Sequence, residues 1–169
     1  SNANLKRKYS NLVKRISLFN KKSYENIKKI KNKKVIAFQT RNIPHLGHEK
    51  IIKHYLSKNY TVVVNPLLGP KKKGDIKSKY LIKFYLYLKK KYKNKNLYIE
   101  PIIVNMFYAG PREAMHHANV RQMFGFRYFI IGRDHAGAEN AYNKDMAIKY
   151  AKKYRKKFKI KLNLLQGSY

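Results

Sequence analysis

From Lys33 onward, short runs of β-branched and apolar residues alternate with longer segments of helical periodicity. The predicted strands are 34–39, 60–65, 97–104, 127–132 and 158–164, and the predicted helices are 46–58, 78–92, 111–124 and 140–156. Because strands that alternate with helices favour parallel pairing, the pattern predicts an α/β fold, a Rossmann-like parallel sheet with helices on both faces. Ligands of such sheets bind at the carboxyl ends of the strands.

The N-terminal region has a different character. Residues 1–3, Ser-Asn-Ala, match the remnant of an expression tag and are left out of the fold prediction. Residues 4–32 mix lysines with apolar residues at a spacing typical of one or two amphipathic helices. We expect a basic helical arm that packs on a neighbouring element, followed by a single domain over 33–169.

The composition limits the classes of partner. The formal net charge of +32 comes from 40 Lys and Arg against 8 Asp and Glu, which invites a nucleic-acid interpretation. We expect no nucleic-acid partner, because 32 of these cations are Lys rather than Arg and no DNA- or RNA-binding motif accompanies them. No apolar run approaches the roughly 20 residues of a membrane span. We therefore predict no membrane partner and a cytoplasmic location, which agrees with the absence of cysteine.

The loop after the first predicted strand carries the first functional signal. Residues 39–48 read Gln-Thr-Arg-Asn-Ile-Pro-His-Leu-Gly-His and lead into a predicted helix. Cationic and hydrogen-bonding side chains at a helix amino terminus favour phosphate. His45 and His48 are three apart, so they share a face in the first turn. A zinc pair and two unconnected polar residues stay open as alternatives.

Two further loops fall at the same predicted edge. Residues 65–75 bring lysines and an Asp, and residues 132–137 read Gly-Arg-Asp-His-Ala-Gly after a buried strand. A helix over 111–124 precedes that strand and contains Pro-Arg-Glu-Ala-Met-His-His-Ala-Asn-Val-Arg. Convergence of three loops with anion-binding side chains predicts a nucleotide site.

Together these motifs resemble the catalytic domain of ATP sulfurylase (sulfate adenylyltransferase), a member of the HIGH nucleotidyltransferase superfamily. The resemblance covers residues 33–140. It rests on four motifs. The first is Gln-Thr-Arg-Asn at 39–42 followed by His-x-Gly-His at 45–48, and the second is Pro-Leu-Leu-Gly at 66–69 followed by Gly-Asp at 74–75. The third is Ala-Gly-Pro-Arg-Glu-Ala at 109–114 followed by His-Ala at 117–118 and Arg121, and the fourth is Gly-Arg-Asp-His-Ala-Gly at 132–137. It implies that 33–169 is a nucleotidyltransferase domain that transfers AMP from ATP to sulfate by in-line attack, releasing pyrophosphate.

The resemblance also implies roles for individual residues. Sulfate would be held by Gln39, Arg41 and the backbone around Ala136. The catalytic set would be Thr40, Arg41, Asn42, His45 and His48, with Gln39, Asn42 and both histidines also contacting ATP. The nucleotide would be bound by Gly132, Arg133, Asp134 and His135. Mg²⁺ would enter as the counter-ion of ATP, without a dedicated protein metal site, and association into a homo-oligomer stays open.

Other polar residues of the motifs have plainer interpretations. His116 and His117 lie mid-helix, and one of them is expected to pack against a neighbour; neither is assigned a catalytic role. Glu113 favours the helix start, where it interacts well with the dipole. Arg121 is left as either a structural ion-pair partner or a ligand contact.

Three departures from the family pattern keep alternatives open. Ile43 stands where the family has Pro, and Pro44 follows it; Phe107 stands where an Arg usually follows Met. The family's N-terminal β-rich domain and its C-terminal closing segment are expected to be absent. The alternatives are a nucleotidyltransferase of the same superfamily with another anionic acceptor, and a non-catalytic basic nucleotide-binding module.

Overall fold

The computed structural model describes residues 2–70, 73–133, 135–136, 142–143 and 145–165. The elements run in the order α1 (Asn2–Lys28), β1 (Val35–Thr40), α2 (Leu46–Ser57), β2 (Thr61–Pro66), α3 (Ser78–Tyr92), β3 (Leu97–Ile99), α4 (Pro111–Met123), β4 (Tyr128–Ile131), α5 (Met146–Tyr154), a 3₁₀ turn (Arg155–Lys157) and β5 (Lys161–Leu164). None of the helices among these residues is long and apolar enough to cross a membrane.

The five strands form one parallel sheet in the order β3-β2-β1-β4-β5. The α/β Rossmann-like prediction is therefore confirmed. The chain moves outward from the central β1 to β2 and β3, then returns to place β4 on the other side of β1. This reversal between β1 and β4 opens a crevice at their carboxyl ends, where ligands of doubly wound sheets bind.

Side chains from both faces of the sheet are buried under helices. One core joins the sheet to α2 and α3, with Ile36, Phe38, Ile52 and Tyr85 among its members. The other joins the opposite face to α1, α4 and α5, where small residues such as Ala114, Ala118 and Ala151 let the helices approach closely. Alternation along β1 therefore sends successive side chains to different helix layers.

Two predicted strands are shorter in the structure. The segment predicted over 97–104 pairs regularly only to Ile99, because Pro101 has no N–H for the ladder, and one bridge joins Leu67 to Ile102 further on. The strand predicted over 158–164 begins at Lys161, because Gln122 Oε1 accepts the N–H groups of residues 159 and 160 at 2.6 and 3.1 Å.

The helix predicted over 140–156 is observed from Met146 to Tyr154, while residues 137–141 and 144 lie outside the described part of the chain. The N-terminal region forms one helix, α1, rather than two. Its second half covers the chain beyond β3: Asn20 exchanges two 2.9 Å hydrogen bonds with the backbone of Ile103, and Ser23 donates to Pro101 O at 2.8 Å. Polar side chains thus satisfy backbone groups at the edge of the sheet.

Candidate active site

A cleft of about 210 Å³ opens between the carboxyl ends of β1 and β4. Its lining includes most of the predicted site residues: Gln39, Thr40, Arg41, Asn42, His48, Gly132, His135 and Ala136. Apolar side chains complete it: Phe38, Ile51, Leu67, Met106, Ile130 and Leu165. Residues from the first and last predicted loops therefore meet in one concave surface, as expected for a ligand site.

Thr40 shapes the turn at the end of β1. Its Oγ1 accepts the N–H of Asn42 at 3.2 Å and lies 3.1 Å from Asn42 O, to which it can donate. The hydroxyl of Tyr85, which reaches up from α3, lies 3.3 Å from the same atom. The Thr40 side chain is thus engaged within the protein, and it orients the backbone that carries Arg41 and Asn42.

Arg41 is held by two residues from separate loops. Its Nη1 lies 3.3 and 3.4 Å from the two carboxylate oxygens of Asp75, which belongs to the loop after β2. The Tyr108 hydroxyl donates to Asp75 Oδ2 at 2.7 Å, and the guanidinium carbon of Arg41 lies 5.1 Å from the centre of the Tyr108 ring. Arg41 is therefore partly preorganised at the mouth of the cleft.

His45 and His48 stack at the amino end of α2, with ring centroids 3.8 Å apart. His45 caps the helix, since its Nδ1 accepts the N–H of Gly47 at 3.1 Å; the proton of a neutral ring is consequently on Nε2. His48 Nδ1 lies 3.0 Å from the Tyr85 hydroxyl. Burial, together with the proximity of His45, lowers the pKa of His48 to about 4, so this ring is neutral at pH 7.

Gln39 points to the other face of β1, toward α4. Its Nε2 lies 2.8 Å from His117 Nδ1, and His135 Nε2 lies 3.2 Å from the same nitrogen. His117 Nε2 in turn lies 3.4 Å from Glu113 Oε1. Glu113 accepts the backbone N–H groups of Phe107 and Ala109 at 2.9 and 2.8 Å.

Burial sets the protonation of this cluster. Burial lowers the pKa of His117 and, with the nearby His117 and Arg121, holds the pKa of His135 well below its usual range. Burial alone would raise the pKa of Glu113, but His117 and the two backbone N–H groups more than offset it, and the net shift is downward. The cluster therefore contains one carboxylate and two neutral imidazoles.

Arg121 lies fully buried below the same cluster. Its Nε lies 3.3 Å from Asn65 Oδ1 on β2, and its guanidinium carbon lies 5.6 Å from the Phe129 ring centre on β4. Within the part of the chain that the structure describes, its two terminal nitrogens have no hydrogen-bond partner and no carboxylate forms an ion pair with it. Burial lowers its pKa to about 9, which leaves it charged at pH 7.

The loop after β4 is tied to the start of α4. Ala136 O accepts the N–H of Gly110 at 3.0 Å, and Ala136 itself has a φ of 57°, in the left-handed region that non-glycine residues rarely adopt. Arg133 does not line the cleft: it is exposed, and its Nε lies 3.7 Å from Asp145. Asp134 lies outside the described residues.

The sequence motifs indicate no site role for Tyr85, Tyr108 or His117. Tyr85 follows Leu81 by four residues, so its helical spacing marks it as a core residue and gives no sign that its hydroxyl meets His48. Glu113 had a usable signal: it is the third residue of a helix that begins with Pro111, a position from which a carboxylate can reach back to preceding N–H groups.

Comparison with known proteins identifies the family to which the sequence is similar. The ATP-sulfurylase family model matches residues 14–167. The sulfate adenylyltransferase of Pyrococcus abyssi is 50% identical over 111 residues, which are 65% of this chain and 29% of the relative, and that of Carboxydothermus hydrogenoformans is 43% identical over 128 residues. This chain thus spans about three tenths of the length of such relatives.

A solved structure, described as the hexameric APS kinase from Thiobacillus denitrificans, superimposes with a TM-score of 0.60 at 16% identity. The match covers 79% of this chain and 24% of that one. At this level of identity the likeness concerns the fold alone.

Proposed function

The chain belongs to the ATP-sulfurylase family, and on that premise we propose that it transfers AMP from ATP to sulfate, forming adenylyl sulfate and pyrophosphate. The observation that carries the proposal is the cleft between β1 and β4, into which Arg41, His48 and the loop around Ala136 converge. In this proposal a sulfate oxygen attacks the α-phosphorus in line, the bond from that phosphorus to the bridging oxygen breaks, and pyrophosphate leaves.

The chemistry of sulfate determines what the site has to supply. Sulfate is a weak nucleophile that carries no proton near neutral pH, so a general base has little to do. Orientation of the two anions and stabilisation of the shifting charge must supply most of the rate enhancement. The cleft matches this requirement, because its polar lining is dominated by hydrogen-bond donors of the Arg, Asn and His types.

Sulfate is assigned to Gln39, Arg41 and the backbone at Ala136. A guanidinium presents a planar fork of donors to a tetrahedral dianion, and Asp75 and Tyr108 hold the Arg41 fork at the cleft mouth. The left-handed conformation of Ala136 supports this assignment, since strained backbone of this kind clusters at ligand sites.

The ATP phosphates are assigned to Asn42, His45 and His48. The amino end of α2 favours anions, and the Nε2–H of a neutral His45 is free of its helix-capping contact. In the tautomer whose Nδ1 accepts from the Tyr85 hydroxyl, the neutral His48 ring can donate from Nε2 without carrying a charge that would bind the ground state strongly. The nucleoside part is assigned to Gly132, Arg133, Asp134 and His135.

Mg²⁺ is proposed to arrive with ATP. Among the residues that the structure describes, no group of three His, Asp or Glu side chains is close enough to hold an ion. Asp75, the acidic residue of the loop after β2, is engaged with Arg41 and Tyr108. This donor set fits an ion held chiefly by ATP phosphates and water, a common arrangement for Mg²⁺.

The direct test is pyrophosphate release from ATP with and without sulfate. We expect release to depend on sulfate and adenylyl sulfate to accumulate in equal amount. Release that depends on a different anion, or ATP binding without any turnover, would contradict the proposal. Because the neighbour of known structure is described as a hexamer, light scattering on the same sample tests self-association of this chain.

One observation favours a second candidate, a nucleotidyltransferase with another anionic acceptor. Phe107 replaces a usual Arg of the family pattern, and its side chain is 67% exposed while its N–H is bound to Glu113. The site then offers one cation fewer to the acceptor. A panel of phosphorylated and carboxylate acceptors in the same pyrophosphate assay separates the two candidates.

A further inference from the structure

A chain of three groups, two buried and one half-buried, runs from α4 to the end of β1. It consists of Glu113, His117 and Gln39, and we call it the positioning triad. His117 and the carboxylate of Glu113 are almost fully buried, with exposures of 0% and 1%. Two backbone N–H groups fix the carboxylate at one end, and the Gln39 amide lies at the edge of the cleft at the other.

The neighbouring groups favour one position for the His117 proton. Nε2 lies 3.4 Å from a Glu113 carboxylate oxygen without forming a hydrogen bond of good geometry, and because that oxygen can only accept, a hydrogen on Nε2 is favoured over two facing lone pairs. Burial keeps the ring neutral, so Nδ1 has a lone pair. Gln39 Nε2 at 2.8 Å must therefore donate to Nδ1, and His135 Nε2 at 3.2 Å can donate to the same atom.

This assignment fixes the orientation of the Gln39 amide. Rotation of the amide by half a turn would bring its carbonyl oxygen against the Nδ1 lone pair, which is repulsive. Because one hydrogen of the Gln39 amide is donated to His117, the directions of the second hydrogen and of the carbonyl oxygen are fixed. Gln39 Oε1 is buried and has no partner within the described protein, as expected for a group whose direction is set by the amide's other end.

We propose that His117 is a positioning residue, which, anchored by Glu113, holds the Gln39 amide in the orientation that presents an N–H to the oxyanion acceptor. The inference rests on the proposed function, in which Gln39 contacts sulfate. His117 itself touches neither sulfate nor ATP. His117 prevents the Gln39 amide from rotating by half a turn. The rotated amide would direct its carbonyl oxygen toward the anion and would lower the affinity for an oxyanion.

Two substitutions separate the two nitrogens of His117. Asparagine ends near the position of Nδ1, so His117→Asn can still accept from Gln39 while it loses Glu113. Glutamine reaches the position of Nε2, so His117→Gln can still donate to Glu113 while it loses Gln39. The neighbouring His116 is exposed on the same helix, and His116→Asn and His116→Gln are the matched controls.

Steady-state kinetics of pyrophosphate release then give the main readout. We expect His117→Gln to raise the KM for sulfate about tenfold, the equivalent of one lost hydrogen bond, with the KM for ATP nearly unchanged. His117→Asn should raise the KM for sulfate less than about threefold. If both variants raised the KM for sulfate and the KM for ATP by similar factors and also lowered the Tm, His117 would have a merely structural role. That result would overturn the inference.

A second measurement does not depend on turnover. Nitrogen-15 chemical shifts of the imidazole should show His117 in the wild type as neutral, with the proton on Nε2, and the Gln39 side-chain amide signal should move in His117→Gln. A proton on Nδ1 would overturn the inference even if the enzyme is active. Absence of sulfate-dependent turnover in a wild type with the expected tautomer would instead contradict the proposed function.

Discussion

Neutral histidines characterise the site at the scale of single residues. Burial lowers the pKa of His48, His117 and His135. The net charge of +32 acts in the same direction, because it also disfavours additional cations. Neutral imidazoles keep one donor and one acceptor each, which lets them form directed hydrogen bonds with an anion and with the protein together. The charge in the site is left to arginine, which cannot be deprotonated near neutral pH.

The lowered pKa of His48 has a consequence for stability. The unfolded chain binds a proton at this residue near pH 6.5, whereas the folded chain binds it only near pH 4, so stability falls as pH drops between these values. We expect the urea midpoint to fall less steeply in His48→Gln than in wild type over that window. His54→Gln, on the exposed face of the same helix, is the control and should keep the wild-type slope.

Replacement of His48 by Ala tests its assignment to the transition state. The hydrogen bond to phosphate strengthens as charge moves during the reaction, so its loss should lower kcat by about 10²–10³ and leave ATP affinity nearly unchanged. Turnover with sulfate measures the change in kcat, and calorimetric titration with ATP measures the affinity. An unchanged kcat with weaker ATP binding would assign His48 to the ground state only.

Arg41→Lys tests the sulfate anchor, because the positive charge is kept while the donor fork is lost. The ammonium cannot reproduce the contact with Asp75 and a two-pronged contact with sulfate together. We expect sulfate-dependent turnover to fall by about tenfold or more, since about 1.5–3 kcal/mol accompanies a charged hydrogen bond. ATP binding measured without sulfate should stay close to wild type; full activity of the variant would reject Arg41 as the anchor.

At the scale of elements, the loop after β2 is packed against the chain beyond β3 with no room for a side chain. A Cβ at Gly69 would lie 1.7 Å from Val104 O, a backbone atom. Gly69→Ala must therefore push the two segments apart and should lower the free energy of unfolding by about 1–3 kcal/mol, as measured by urea denaturation. Gly132→Ala is the control, since no atom of the described residues lies within 4 Å of a Cβ built at Gly132; similar losses in both variants would contradict this account.

The elements themselves were largely predictable. Apolar runs in an α/β pattern predicted every strand, and the signal was strongest in β1, β2 and β4, which are buried on both faces and therefore nearly continuous in apolar residues. The ends were less predictable where side chains compete for backbone groups. The Gln122 side chain accepts hydrogen bonds from two N–H groups that would otherwise have extended β5. One of these bonds joins residues 37 positions apart, so local sequence does not indicate it.

The site was predictable only in part, for a similar reason. Motifs identified the side chains that gather at the strand ends, because the carboxyl edge of a parallel sheet collects them. The residues behind them were not identifiable. His117 and Tyr85 occupy helical core positions, and their polar contacts with Gln39 and His48 exist only after the helices pack on the sheet.

At the scale of the whole molecule, charge is the dominant feature. The sequence contains 40 Lys and Arg residues, with Lys predominating outside the motifs, and within the described part of the chain only Arg41 among them lines the cleft. Solvated lysines at this density attract anions over a distance of about one Debye length without forming directed contacts. The global charge and the local fork of Arg41 therefore make separable contributions to anion binding.

Ionic strength tests the global contribution. Raising NaCl from about 25 to 250 mM shortens the screening length from near 20 Å to about 6 Å, which removes attraction by distant lysines but spares direct contacts. We expect calorimetric affinity for ATP to fall by about tenfold or more, because a tetra-anion experiences the whole surface charge. Adenosine, which is uncharged, serves as the control and should bind with little dependence on salt. If ATP affinity were equally insensitive to salt, its binding energy would come from contacts inside the cleft, and the surface lysines would have no part in substrate capture.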